Sequence, residues 1–235
     1  MAQLDPHPLC GHNAAVATRV GFLGGTGIEG RGLALRFALA GASVVVGSRS
    51  EERARAAAAE YNALLGVDRI RGAANPDMLR ESDIVFITLP YEHAPEAVSH
   101  AASDLRAGVI LVDVTVPMVF RDGRAEFAEP AEGSNAERIA ARIPKDARLV
   151  GAFKTIPAHV LAEIDTPLDC DDLVCGDSSE AKQAVIAACA AIPALRSLDA
   201  GPLSAARILE RMTVLAVQLN RRYKRKGARY RVQGV

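Results

Sequence analysis

"VGFLGGTGIEGRG", residues Val20–Gly32, crowds Gly24, Gly25, Gly27 and Gly30 between two apolar runs. Gly25, Gly27 and Gly30 fit the spacing G-x-G-x-x-G, which by itself is a weak pattern that a plain glycine turn also satisfies. Its neighbours decide the matter. "RVGFLG" (Arg19–Gly24) is a short apolar run that stops at glycine and reads as a buried strand. "RGLALRFALAG" (Arg31–Gly41) reads as a helix with a glycine past its C-terminus. "SVVVGSR" (Ser43–Arg49) is β-branched and reads as a second strand. A glycine loop inside such a strand–helix–strand unit is a phosphate cradle. Gly25 permits the tight turn, Gly27 lets a pyrophosphate approach the backbone, and Gly30 lets helix and strand pack closely. The amides from Thr26 to Gly30 and the helix dipole attract the phosphates.

The second strand selects the dinucleotide. NAD-dependent chains usually carry Asp or Glu at its end, where the carboxylate bonds the ribose 2′-hydroxyl. Here the strand runs into "GSRSEER", with Ser48 and Arg49 at that place and Arg53 one turn into the next helix. A hydroxyl and two guanidiniums suit a 2′-phosphate, so NADP is expected over NAD.

The alternation continues along the chain. "SEERARAAAAEYNAL" (Ser50–Leu64) opens on a capping serine and reads as a helix. "DIVFITLP" (Asp83–Pro90), "VILVDVTVP" (Val109–Pro117) and "RLVGAFKTIP" (Arg148–Pro157) read as strands closed by proline, separated by short helices. The expected fold class is therefore α/β: a Rossmann-type, doubly wound, mainly parallel sheet. Ligands bind at the C-terminal strand ends of such sheets, so the threonine–aliphatic–proline ends are expected to line one crevice. From about Ala158 the rhythm changes. "DDLVCGD" reads as a strand, Ser178–Pro193 as a helix, and a long helix starts near Pro202, with apolar residues at Ile208, Met212, Leu215 and Leu219. The expected organisation is an N-terminal extension over 1–18, an NADP-binding domain over 19–157, and a small, mostly helical C-terminal domain over 158–235.

The bulk composition excludes several classes. Half the 235 residues are apolar and the formal net charge is zero, so nothing global points to nucleic acid or a membrane surface. No apolar run reaches the ~20 residues of a membrane span. "MAQLDPHPLCGHNAAVAT" lacks the basic start and apolar stretch of a signal peptide. Cys10, Cys170, Cys175 and Cys189 form no C-x-x-C pair, which suits reduced thiols in a cytoplasmic protein with no metal site.

"GGTGIEGRGLALRFALAG", "VVVGSR", "TLPYEHA", "VDVTVP", "LVCGD", "LDAGPL" and "LNRRYK" together resemble the NADPH-dependent F420 reductases, or F420H2:NADP oxidoreductases, along nearly the whole chain from Arg19. The resemblance implies a homodimeric oxidoreductase that passes a hydride between NADP(H) and the 5-deazaflavin coenzyme F420. It assigns Thr26, Gly27, Ile28, Ser48, Arg49 and Arg53 to NADP, with Leu89, Pro90, His93, Val116 and Pro117 flanking its ribose and nicotinamide. It sets the deazaflavin against Lys154, Ile156, Gly201, Pro202, Leu203 and Ser204. Lys154 departs from the family pattern, where a histidine often stands, and Tyr91 also differs. At its strand end Lys154 has two expected placements: a cation in the cleft beside the electron-rich ring, or a solvent-facing lysine.

"NRRYKRKGARYRV" holds seven basic residues between Arg221 and Arg231. It reads as a solvated helix end, with attraction of the acidic tail of F420 or a dimer contact as alternatives. Two functions compete with F420 reduction: reduction of another planar acceptor, a flavin or a pterin, and non-catalytic NADP binding.

Overall fold

A computed structural model describes residues 18–235 of the chain. The expected extension over 1–18 lies outside the described residues, apart from Thr18, and so does Cys10. The chain begins with β1 (Arg19–Leu23), α1 (Ile28–Leu39), β2 (Ser43–Ser48), α2 (Glu51–Leu65), β3 (Ile70–Ala74), α3 (Asn75–Glu81) and β4 (Ile84–Ile87). It continues with α4 (Ala94–His100), β5 (Ile110–Asp113), β6 (Met118–Arg121), β7 (Arg124–Phe127), α5 (Asn135–Ala140) and β8 (Arg148–Gly151). It closes with α6 (Ala158–Ala162), β9 (Cys170–Gly176), α7 (Ser179–Cys189), β10 (Leu195–Asp199) and α8 (Ala206–Arg222).

Eight strands form one sheet in the order β10-β9-β8-β5-β4-β1-β2-β3. All its pairings are parallel except β8 with β9. After β3 the chain crosses back to place β4 on the far side of β1. That reversal opens a crevice beyond the C-terminal ends of β1 and β4, the usual ligand position in a doubly wound sheet. The stretch after residue 157 supplies α6, α7 and α8, and its two strands continue the same sheet.

Local chemistry explains the elements. Ser50 caps α2 by accepting from the Arg53 amide, and Gly66 ends that helix in the left-handed region. Asp122–Gly123 turns the β6–β7 hairpin with both residues at positive φ, as a two-residue hairpin turn requires. Phe22, Phe37, Phe86 and Phe153 are fully buried, with Phe22 and Phe86 stacked at 5.2 Å and Phe153 edge-on to Phe86 at 5.8 Å. This aromatic cluster fixes α1 and the end of β8 to one side of the sheet.

Several elements differ from the sequence expectations. The proline-closed strands are shorter than their apolar runs. β4, β5 and β8 end at Ile87, Asp113 and Gly151, which leaves each threonine–aliphatic–proline segment as a loop beyond the sheet. On α8 the buried residues are Ala206, Leu209, Glu210, Val214 and Ala216, whereas Ile208 and Leu215 are exposed. The helical spacing holds, but the buried face is rotated from the one its largest apolar residues suggest. The basic tail is more than a helix end. After Arg222 the chain turns at Lys224, which has positive φ, and runs back along β9, where the Asp171 amide donates to the Tyr230 carbonyl at 2.9 Å. Arg196 and the Val232 amide both hold Asp171, and the Tyr230 hydroxyl donates to the Met212 carbonyl.

Asp172 is the most costly residue of this frame. It is completely buried, and its Oδ1 accepts from the Phe153 amide at 2.6 Å while Oδ2 has no partner among the described residues. Phe153 has a φ of 54°, so Asp172 holds a strained residue directly before Lys154. Burial pushes the carboxyl up to about 7. An unfolded aspartate ionises near pH 4, so between about pH 4 and about pH 7 the folded state keeps a proton the unfolded chain gives up, and stability falls as pH rises through that window. Asp172→Asn keeps the acceptor and removes the charge. Thermal melts of the two proteins between about pH 4 and about pH 8 should diverge, the variant gaining on the wild type as pH rises. Parallel curves would show that Asp172 does not titrate there.

Candidate active site

The glycine loop joins β1 to α1 as its spacing requires. A Cβ on Gly30 would meet Gly25 Cα at 2.7 Å, Thr88 Oγ1 at 2.7 Å and the Gly24 carbonyl at 2.8 Å, so only glycine lets α1 start this close to the strand ends. A Cβ on Gly25 would meet Phe22 Cβ at 2.9 Å. Gly27 is different: a Cβ there would find only the Gly24 carbonyl, at 3.5 Å, so the space above it is open. No side chain caps α1, whose N-cap is Gly27. Its first amides are left without intrahelical partners, at the positive end of a 12-residue helix. Thr26, Gly27 and Ile28 are exposed around them. Tyr61, on α2, supports the loop from behind by donating to the Gly25 carbonyl.

Beside the loop, β2 ends at Ser48, and Arg49 and Arg53 project exposed from the start of α2. Their acidic neighbour Glu51 is engaged by Arg55 at 2.6 Å. Among the described residues neither Arg49 nor Arg53 forms an ion pair. An uncapped helix N-terminus next to a hydroxyl and two uncommitted guanidiniums fits a dinucleotide with a 2′-phosphate.

The three threonine–aliphatic–proline segments meet around one cavity of about 520 Å³. Leu89 and Pro90 line it after β4, Thr115 and Val116 after β5, and Thr155, Ile156 and Pro157 after β8. Glu29 enters from the first turn of α1. Thr213, Ala216, Val217 and Asn220 close the cavity from α8, and Lys226 and Ala228 of the returning tail complete its edge. Of the other expected residues, Pro117 is buried outside the wall, and His93 is exposed at the start of α4. The turn holding Gly201, Pro202, Leu203 and Ser204 lies away from the lining too. Lys182 and Asp199 fasten it, and Asp177 accepts from the Leu203 amide just ahead of α8.

Of the two placements expected of it, Lys154 does not take the solvent-facing one. Its side chain is 1% exposed, which rules out a solvent-facing lysine. The ammonium borders the cavity but donates to Asp113 Oδ2 at 2.7 Å, the Thr115 carbonyl at 2.7 Å and Glu210 Oε1 at 3.0 Å. Burial alone would depress its pKa; the two carboxylates override that and raise it. A strand end would normally leave a lysine to solvent. Here the left-handed Phe153 turns it inward, and the Thr213 hydroxyl holds its carbonyl at 2.6 Å. Asp113 also accepts from the amide and hydroxyl of Thr115, and Glu210 accepts from the amides of Asn135 and Ala136. The cluster therefore ties β5, the loop after β8, α5 and α8 together directly beneath the cavity. Asp113 and Glu29 lie inside "VDVTVP" and the glycine loop, motifs that give them no role, and no motif holds Glu210. The available signals were an aspartate inside the apolar run "VILVDVTVP" and a glutamate on the small-residue face of α8.

Comparisons with known proteins identify the family. The family model described as "NADP oxidoreductase coenzyme F420-dependent" matches residues 19–117, the stretch that holds the glycine loop, Ser48, Arg49 and the first two cavity loops. An F420-dependent NADP reductase of Methanocaldococcus jannaschii is 37% identical over 220 residues, covering 91% of this chain and 97% of that protein. One from Methanothermobacter thermautotrophicus is 36% identical, covering 91% and 94%. A solved structure from Arthrobacter sp. FB24, a candidate F420-dependent NADP-reductase, covers 93% of this chain and all of its own with a TM-score of 0.77 and 23% identity, which supports the fold. With identity at this level along nearly the full length of both chains, the protein belongs to the F420-dependent NADP reductase family.

Proposed function

We propose that the chain transfers a hydride between NADP(H) and coenzyme F420. The observation that carries this reading is the convergence of three strand-end loops on one cavity, beside an uncapped helix N-terminus and two unpaired arginines. The α1 amides, from Ile28 onward, would take the pyrophosphate, and Ser48, Arg49 and Arg53 the 2′-phosphate. Leu89, Pro90 and Val116 would flank the nicotinamide, and Ile156 with α8 would form the acceptor side, so that 158–235 completes the cleft begun by 19–157. NADPH supplies the hydride when bound, and the chain's task is to align two flat rings with the reacting carbons within ~3–3.5 Å. The apolar loops exclude water. The buried Lys154 cluster holds the floor rigid, which keeps that alignment reproducible.

Family membership favours F420 over a flavin or pterin acceptor, and the reading makes the chain an enzyme rather than a passive NADP binder. We also place it in the cytoplasm as a homodimer with no nucleic-acid partner. Its described cysteines, Cys170, Cys175 and Cys189, are buried thiols, and exposed Ile208 and Leu215, two turns apart on α8, offer a face for a second copy. The test is loss of NADPH absorbance together with loss of the oxidised deazaflavin band when F420 is added, with NADH as control. The expected outcome is turnover with NADPH and little with NADH. NADPH binding without F420 reduction would reject the acceptor.

A further inference from the structure

The floor of the cavity gathers more carboxyls than it can keep ionised. Asp113 and Glu210 bind the buried ammonium of Lys154, and Glu29 lines the same cavity. With all four charged, the site would carry two uncompensated negative charges around one cavity, which favours keeping a proton on one carboxyl. Hydrogen bonds decide which. Asp113 accepts from Lys154 and twice from Thr115, and Glu210 accepts from Lys154 and two backbone amides. Those donors stabilise carboxylates. Glu29 accepts no hydrogen bond among the described residues and faces the open cavity. The proton therefore sits on the one carboxyl that can present it to a bound ring.

We propose that Glu29 is a catalytic acid, handing the acceptor ring the proton that accompanies the hydride and taking it back in the reverse direction. This rests on the hydride-transfer reading above. A neutral ring that accepts a hydride gains a full negative charge, and a ring nitrogen must take a proton to discharge it. The electron pair and hydrogen come from NADPH, which becomes NADP+. The Glu29 O–H bond breaks as the ring N–H bond forms, and water at the cavity mouth restores the proton to the carboxylate. The position suits the task. Glu29 stands in the first turn of α1, next to the phosphate cradle, and lines the same cavity as Thr115, Lys154 and Ile156.

The environment makes this proton available near neutral pH. Burial pushes the Glu29 carboxyl up to about 8, with Lys154 pulling it down and Asp113 adding to the rise. Glu210, across the cluster on α8, is also raised by burial, against the pull of Lys154. The other titratable groups on the cavity walls are Tyr91, Glu92, His159 and Lys226.

Glu29→Gln and Glu29→Asp, compared with the wild type in NADPH-driven reduction of F420 across pH, test the role. The wild type should lose kcat above about pH 8. The glutamine variant should lose about 10²-fold in kcat at pH 7 and show no such limb, with its KM for NADPH within about threefold of the wild type. The aspartate variant should recover part of the rate together with a limb. Without any ligand, infrared spectra at pH 7 should show a protonated-carboxyl band in the wild type that is missing from the glutamine variant. A glutamine variant with wild-type kcat and an unchanged limb, or with an unchanged carboxyl band, would overturn the proposal. A wild type that does not reduce F420 at all would overturn the hydride-transfer reading beneath it, a failure visible before any variant is made.

Discussion

Lys154→Met lowers stability by roughly 3–5 kcal/mol, the usual cost of removing one partner from a buried ion pair. For a chain of this length that is on the order of 10 °C in melting temperature. The reason is what remains behind. Asp113 and Glu210, both fully buried, lose the ammonium between them. Each must then keep an uncompensated charge or take up a proton. Methionine fills much of the lysine's volume, so the loss reflects charge rather than a cavity. Glu210→Gln in the Lys154→Met background should recover part of the loss, because it removes one of the stranded charges. The same substitution in the wild type should destabilise, because it breaks a satisfied pair. Urea denaturation of the four proteins measures this non-additivity directly. A Lys154→Met protein that melts within about 2 °C of the wild type would show that the cluster contributes little to the frame.

Arg49→Ala with Arg53→Ala lowers kcat/KM for NADPH by about 10²-fold to 10³-fold and leaves the value for NADH nearly unchanged. Hydrogen bonds to charged groups contribute roughly 1.5–3 kcal/mol each, and the exposure of both guanidiniums places these at the lower end. Neither arginine touches the core, so the melting temperature of the double variant should stay close to the wild type. Ser48 is a lesser contributor, since its hydroxyl offers one neutral donor while each guanidinium adds a charge. Steady-state kinetics with both dinucleotides decides the matter. An equal loss for NADPH and NADH would mean that the arginines act on something both share, such as the pyrophosphate or the shape of α2.

The parts of this site that follow local rules were legible from residue types alone. The glycine loop, the Ser48–Arg49 strand end and the threonine–aliphatic–proline loops all depend on backbone chemistry within a few residues. β3 was not legible, because "IRGAA" has no alternation and a single β-branched residue, Ile70. Its pairing depends on Gly72, where a Cβ would strike the Ala54 carbonyl at 2.2 Å, so the strand exists through the close approach of α2. The β6–β7 hairpin was announced by Asp122–Gly123 but by little else. Lys154 was legible as a position and not as an environment. Its partners lie 41 and 56 residues away in sequence, and a lysine and two acids read by default as solvated charges. Glu29 reads as an ordinary first-turn acid favouring the helix dipole, and only the fold brings it to the cavity that the loops after β5 and β8 line. On α8, small residues and a threonine make the cavity wall, so its largest apolar side chains point away from the site that the helix completes.

The central claim is direct hydride transfer between two rings in the cavity formed by the three strand-end loops. Its sharpest test is a single turnover with NADPH deuterated at the transferred position of nicotinamide C4, followed by mass analysis of the reduced F420. The predicted result is one deuterium carried onto the deazaflavin, with none supplied by the solvent at that carbon. Reduced deazaflavin carrying solvent hydrogen there, or no reduction with NADPH bound, would contradict it.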